Sequence, residues 1–263
     1  MKNMVLAALM VAVLALPAAA GTVGGPAIDG GTLEVGYDMA YMDRHYDFTG
    51  NSNGVSNLGY DNASLRRLSH LGVISYGLTD MIEAKVTLGA DKLNALEDET
   101  QTAIDFSSNR THIADRPSFM WGGGLKLTVP SVFANVDITL AGQYQQVKFK
   151  NADFSDAAND NPDYFDGDVK SCSWQADLLF SMEYEQFTPY LGLQYSDDKI
   201  DVEYRSKNNA QFGPSFTSEY EASHNWGVVV GSEIDFTGVI GAYVEGRFVD
   251  EGAAFSAGLT YRF

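Results

Sequence analysis

The chain has 263 residues, a fifth of them charged, with 35 Asp and Glu against 17 Lys and Arg. A formal charge of −18 excludes a nucleic-acid binder, whose partner demands a basic face, and fits a protein whose exposed parts are acidic loops. The single cysteine, Cys172, excludes an intrachain disulfide.

Residues 1–20 read as a targeting segment. Lys2 gives a positive start, Met4 to Leu16 is an apolar run too short to span a membrane, and Pro17 breaks it. Ala18, Ala19 and Ala20 then supply the small residues that a signal peptidase needs. The expected mature chain starts at Gly21, with 21–30 as a lead-in and 31–263 as one domain. No later segment approaches the roughly 20 continuous apolar residues of a transmembrane helix, so entry into a bilayer requires a closed β-barrel.

From residue 31 the dominant signal is period-2 alternation between clusters of Gly, Asn and Asp. Leu33, Val35, Tyr37, Met39 and Tyr41 share one face of the first run. In residues 66–78 the outward set is read as Ile74, Tyr76 and Leu78. Ile82, Ala84, Val86 and Leu88 follow, then Phe119, Trp121, Gly123, Leu125 and Leu127, then Val136, Ile138, Leu140 and Tyr144. Trp174 to Tyr184, Leu191 to Tyr195, Trp226 to Val230, Ile240 to Phe248 and Phe255 to Phe263 complete the series. The predicted fold is all-β, a transmembrane antiparallel up-and-down barrel of about ten strands (range about eight to twelve), each near the 9–11 residues of a tilted membrane strand.

The predicted connections alternate in length. The stretches 44–63, 92–115, 150–171 and 205–222 are long and polar, and are read as four mobile extracellular surface loops. Gly77 to Asp80, Pro130-Ser131, Glu185 to Phe187 and Thr237-Gly238 are short. The exception is Asp250-Glu251-Gly252, short where a long loop is due. Long loops on one side and tight turns on the other is the asymmetry of outer-membrane barrels.

Alternation alone also describes a soluble sandwich. Three features favour the membrane: apolar faces free of Asp, Glu, Lys and Arg, aromatics at the ends of those faces, and many small residues on the opposite face. A narrow barrel needs small inward residues because side chains converge on its axis.

On these residues the chain resembles the small outer-membrane β-barrel proteins of the porin-like and OmpA-type kind. Gly258-Leu259-Thr260-Tyr261-Arg262-Phe263 looks like the family's terminal assembly signal, carried here by Tyr261 and Phe263. Tyr76-Gly77-Leu78-Thr79-Asp80 and Thr188-Pro189-Tyr190-Leu191-Gly192 are similar to its recurrent turns and strand openings. The resemblance implies a Gram-negative outer-membrane location, assembly by the barrel-assembly machinery, and contact with outer-membrane lipid and lipopolysaccharide. It leaves any extracellular ligand unidentified.

The candidate lumen charges are Glu34, Asp38, Glu83, Lys85, Lys126, Asp137, Asp177, Glu183, Glu233, Glu245, Arg247 and Arg262. Buried carboxylates without partners are costly, and acids outnumber bases, so some water is expected inside. Two readings of the function follow: a narrow cation-preferring porin-like channel, or a structural and surface-contact barrel whose lumen is an ion-paired plug. The competing reading is an outer-membrane hydrolase acting at the extracellular rim. Ser69-His70 and Ser223-His224 suggest it, but neighbours on a strand point to opposite faces. The expectation is therefore no enzyme, no cofactor and no metal, with His45 and His112 in loops. The acidic run from Asp153 to Asp168 is read as a solvated loop, with divalent-cation binding left open.

Overall fold

The computed structural model describes residues 26–51, 59–101, 107–113, 117–133, 135–156, 165–206, 215–222 and 225–263. The signal-peptide reading of 1–20 lies outside them. The segments are β1 (Leu33–Asn51), β2 (Gly59–Thr79), β3 (Ile82–Gln101), β4 (Ser107–Ile113), β5 (Ser118–Phe133) and β6 (Val136–Asp156). They continue as β7 (Phe165–Met182), β8 (Phe187–Ser206), β9 (Ser215–Ala222), β10 (Trp226–Asp235), β11 (Ile240–Val249) and β12 (Gly252–Arg262). Every pairing is antiparallel. β4 with β5, and β9 with β10, are each two pieces of one stave, since each couple shares the same neighbour on one side. The result is a closed barrel of ten staves.

Closure occurs twice. In the lower part, where β1 begins and β12 ends, β1 pairs β12 from Glu34↔Arg262 to Arg44↔Gly252. Above that the β11–β12 hairpin has turned back, and β1 pairs β9 directly, from Tyr46↔Ala222 onward. The barrel therefore narrows from ten staves to eight. The short hairpin at 250–252 is the cause, so the turn that breaks the length alternation marks a change of strand number.

The outward faces of the lower part match the alternation. Leu33, Val35, Tyr37, Met39 and Tyr41 are 38–50% exposed, and Ile74, Tyr76 and Leu78 face out as expected. An apolar band running around the whole barrel is stable against hydrocarbon and not against water. Aromatic contacts join staves at the band's upper edge: Trp121 with Tyr144, Trp174 with Tyr195, and Tyr195 with Trp226.

Where the sequence suggested long loops the structure continues as strand. β1, β2 and β3 run for 19, 21 and 20 residues, about twice the length a membrane crossing requires. The stretches 44–51, 59–63, 92–101, 107–113, 150–156, 165–171 and 215–222 are all paired. Along 44–47, 92–94, 167–171 and 217–220 alternation persists with its polarity exchanged, and such a polar outward face resembles a loop. His45 and His112 accordingly sit in β1 and β4, and Cys172 lies within β7. The turn expected at Pro130-Ser131 also moves, because β5 runs to Phe133 and the reversal uses Asn135 at φ 67°.

Inside the barrel, glycine makes room for aromatic girth. Gly231 is the direct partner of Tyr190, and a Cβ there would stand 2.4 Å from the tyrosine ring. Gly258 stands in the same relation to Tyr243. Each ring lies across a neighbouring glycine and fills volume that two side chains could not share.

Candidate functional site: the lumen and its two ends

The inward face of each long strand carries a polarity gradient. In β1 it reads Glu34, Gly36, Asp38, Ala40, Met42, Arg44, Tyr46. In β8 it reads Gln194, Ser196, Asp198, Ile200, Val202, and in β6 Gln143, Gln145, Val147, Phe149. Ascending the barrel, polar side chains give way to apolar ones at one level.

The lowest level is a cavity of about 590 Å³, open at the lower end. Glu34, Glu83, Lys85, Lys126, Glu183, Glu233 and Arg262 line it, all of them candidates from the sequence, together with Asp29, Glu185 and Asp235. Lys126 Nζ lies 3.0 Å from Glu83 Oε2, with side chains 10% and 3% exposed. Arg262 reaches Glu34 at 2.8 Å and Asp235 at 3.3 Å. The lead-in enters this mouth. Ala27 N–H donates to Thr128 Oγ1 at 2.8 Å and Ile28 N–H to Glu83 Oε2 at 3.3 Å, while Gly31 N–H donates to the Gly77 carbonyl at 2.7 Å. A Cβ on Gly77 would stand 2.0 Å from the Asp29 carbonyl oxygen, so only glycine permits this approach.

The middle level is a hydrogen-bonded chain across the lumen. Gln175 Nε2 donates to both Asp177 oxygens at 2.7 and 2.6 Å, and Arg247 donates to Gln175 Oε1. Arg247 Nε meets Glu245 at 2.5 Å, and the Tyr190 hydroxyl donates to Glu245 at 2.9 Å. Asp177, Glu245 and Arg247 were candidates from the sequence. Asp38 is buried on the inner face of β1, and Asp137 lies at the foot of β6, outside the cavity lining.

The third level was not foreseen. Arg44 pairs with Asp198 and donates to Ser196 Oγ at 2.7 Å, and Arg67 lies 3.4 Å from Asp91. All four are buried. A cavity of about 30 Å³ separates Arg44 and Asp198 from Gln175 and Arg247 below. A signal for these residues existed: each precedes or follows an apolar residue of the same parity, such as Tyr46, Leu65, Leu93 or Ile200.

Above them the interior is a packed apolar core. Tyr46, Leu65, Leu93, Phe149, Val169, Ile200 and Val202 are fully enclosed, with Val147 and Tyr220 beside them. Burial pushes the Tyr46 hydroxyl well above its ordinary range, and the neighbouring Asp198 carboxylate adds to the effect. Outside, this upper part bears charges in cross-strand pairs: Lys148 with Asp168 at 2.9 Å, Lys199 with Glu221 at 2.6 Å, and Arg66 with Asp43 at 3.1 Å. Lys199 is held protonated by its hydrogen bond to Glu221. The upper part is thus a water-facing β-barrel with an oily centre, stacked on a lipid-facing barrel with a polar centre.

Of the histidines, His45 Nδ1 lies 3.0 Å from the Glu251 carbonyl, and His70 lies on the outer face with Nδ1 2.5 Å from the Tyr37 hydroxyl. Ser69 points inward, opposite His70. Ser223 and His224 lie outside the described residues, as do Asp160 and Asp163; Asp153, Asp156, Asp166 and Asp168 belong to β6 and β7. Phe263 caps the β1 edge through its N–H to the Leu33 carbonyl at 2.8 Å, with its ring 4.7 Å from that of Tyr261.

A family model described as "Family of unknown function (DUF6588)" matches residues 107–263. No curated protein matches the chain. Among solved structures, the translocator domain of autotransporter NalP from Neisseria meningitidis is similar with a TM-score of 0.50 at 15% identity, over 100% of this chain and 96% of that one. The outer membrane protease OmpT from Escherichia coli gives 0.49 at 11% identity, over 88% of this chain and 97% of that one. The outer membrane protein OprG from Pseudomonas aeruginosa gives 0.42 at 12%, over 90% and 98%. The first likeness shows the outer-membrane β-barrel fold, and at that identity it speaks to fold alone.

Proposed function

We propose, for a chain that belongs to the DUF6588 family of unknown function, that it is a closed outer-membrane barrel with a structural or surface-contact role. Its lipid-facing belt anchors a rigid β-head, and solute passage is not its work. The apolar interior of the head carries this reading. A conducting pore needs a continuous wetted path, whereas Leu65, Leu93, Phe149, Val169 and Ile200 exclude solvent from the axis. The buried ion pairs beneath them act as a second barrier, since separating either pair inside the barrel is costly.

In this reading residues 1–20 are removed on export, the lower end faces the periplasm, and the head projects outward. Outer-membrane lipid surrounds the belt and lipopolysaccharide meets the base of the head. Tyr261 and Phe263 present the edge that the assembly machinery reads. The porin-like alternative would route solute through the same axis, where the described residues of the head pack as an apolar core.

Thiol accessibility tests the filled interior. In a Cys172→Ser background, Ile200→Cys should stay unreactive towards a water-soluble maleimide in the folded protein, while Lys199→Cys reacts. Equal labelling at both positions would mean that water fills the head, and the closed reading would fall.

A further inference from the structure

The barrel narrows where the β11–β12 hairpin ends, because β1 leaves β12 after Arg44↔Gly252 and takes β9 from Tyr46↔Ala222. β8 changes partner near the same level, from β10 at Tyr195↔Trp226 to β9 at Lys199↔Glu221. Inside this step lies the cavity of about 30 Å³, walled by β1, β8 and the hairpin through Arg44, Gln194, Ser196, Asp198 and Ala254. Two acceptors of its lining residues have no hydrogen-bond partner among the described residues, Gln194 Oε1 and Asp198 Oδ1. Gln194 turns its Nε2 to Ser196 Oγ at 3.4 Å, and Asp198 gives its other oxygen to Arg44, so each side chain has one end satisfied and one end over. The two residues are 5% and 2% exposed. An amide oxygen and a carboxylate oxygen that deep are costly without a donor, and where the chain supplies none an ordered water does.

We infer that this cavity is a built site for water, whose molecules donate to Gln194 Oε1 and Asp198 Oδ1. One bound water needs roughly 10–15 Å³, so the space holds about two. The charge of the lining selects against ions. It carries two acids, Asp43 and Asp198, and two bases, Arg44 and Arg247, which leaves no surplus of either sign. Each base already faces a carboxylate, Arg44 that of Asp198 and Arg247 that of Glu245. An anion would be set against the two acceptor oxygens, and a cation against the two guanidinium groups. A neutral donor of hydrogen bonds meets neither repulsion, and a space of about 30 Å³ admits nothing much larger than water. The bound water joins the Arg44–Asp198 pair to the Gln175–Arg247 chain beneath it, so the polar interior of the belt becomes one network that ends at the ion pairs. The site lies below the apolar core and is tested apart from the closure of the head.

Crystals of the refolded wild-type protein in detergent give the direct test. Ordered density should stand in the cavity within hydrogen-bond distance of Gln194 Oε1 and Asp198 Oδ1, and a soak in rubidium bromide should leave no anomalous signal there. An anomalous peak would put an ion in the site, and an interior without density would make the cavity dry; either result overturns the inference. Ala254→Val, which adds two methyl groups at the cavity wall, gives a second test by its sign. Expelling the water strips both acceptors, so the unfolding constant should rise about tenfold. A dry cavity would instead gain contacts on being filled, and a variant as stable as the wild type or more so would sink the proposal. In a Gln194→Met background, where one of the two acceptors is gone, the same substitution should do about half the damage on a logarithmic scale. Undiminished damage would assign the loss to crowding of the added methyls and count against bound water. Should Ala254→Val fail to fold, the wild-type crystals decide.

Discussion

Arg44 and Asp198, 154 positions apart in the chain, meet as a buried ion pair at the level where the barrel's interior changes from polar to apolar. Arg67 and Asp91 form a second pair in the same layer. Below this layer the outside is oily and the inside polar; above it the reverse holds. One run of alternating residues therefore serves two solvents, with the ion pairs at the seam.

Removing one partner of the seam should be more damaging than removing both. Asp198→Ala leaves the Arg44 guanidinium buried without its carboxylate and should cost about 3–5 kcal/mol. Arg44→Met combined with Asp198→Leu should recover most of that loss. The check is a denaturant midpoint by tryptophan fluorescence for the single and double variants.

The apolar core of the head should behave like that of a soluble domain. Leu65→Ala or Ile200→Ala should cost about 2–5 kcal/mol through lost burial and the cavity left behind. Lys148→Ala, which breaks an exposed pair, should cost less than about 1 kcal/mol. Limited proteolysis of the folded protein should show the first two variants nicked in the head stretches 44–63 or 92–101 while the belt stays intact.

Much of the belt was legible in the sequence, because hydrocarbon forbids charge on the outward face and so leaves a one-sided alternation such as Leu33, Val35, Tyr37. The head was not legible for the converse reason. Its outward residues, Asp43, His45 and Asp47, are as polar as a loop, and its inward ones, Arg44 and Tyr46, include a charge that only its partner on β8 explains. The lumen charges Glu83, Lys126, Glu245 and Arg247 were found by parity alone. Arg67, Asp91 and Asp198 escape that reading because they lie at the top of the belt, where the outward face turns polar and the alternation loses its apolar side. The odd hairpin at 250–252 was visible as an anomaly, but its meaning needed the β1–β9 pairing, a contact between residues far apart in the chain.

Tyrosine girth at the glycines gives another expectation. Gly231→Ala sets a methyl 2.4 Å from the Tyr190 ring and should cost about 1–3 kcal/mol by overpacking. Tyr190→Leu in the same chain should relieve the clash, so the double variant should be more stable than Gly231→Ala alone. Thermal unfolding in one detergent compares the three.

High pH should loosen the head through Tyr46. Its folded-state value is raised, so its contribution to stability is complete below the unfolded value of about 10 and declines as pH rises above it. Denaturant midpoints of the wild type should fall between about pH 10 and 12, and Tyr46→Phe should lessen the fall. Among the described residues the hydroxyl has no hydrogen-bond partner, so Tyr46→Phe should be neutral or stabilising at neutral pH.

The account rests on a barrel that is closed along its axis, and single-channel recording of the refolded protein in a planar bilayer tests that most directly. A silent membrane, with insertion verified by protease protection of the belt, is the expected result at neutral pH in either salt gradient. A reproducible cation-selective step that disappears when Glu83 or Asp177 is replaced by an apolar residue would contradict it and make the lumen a pore.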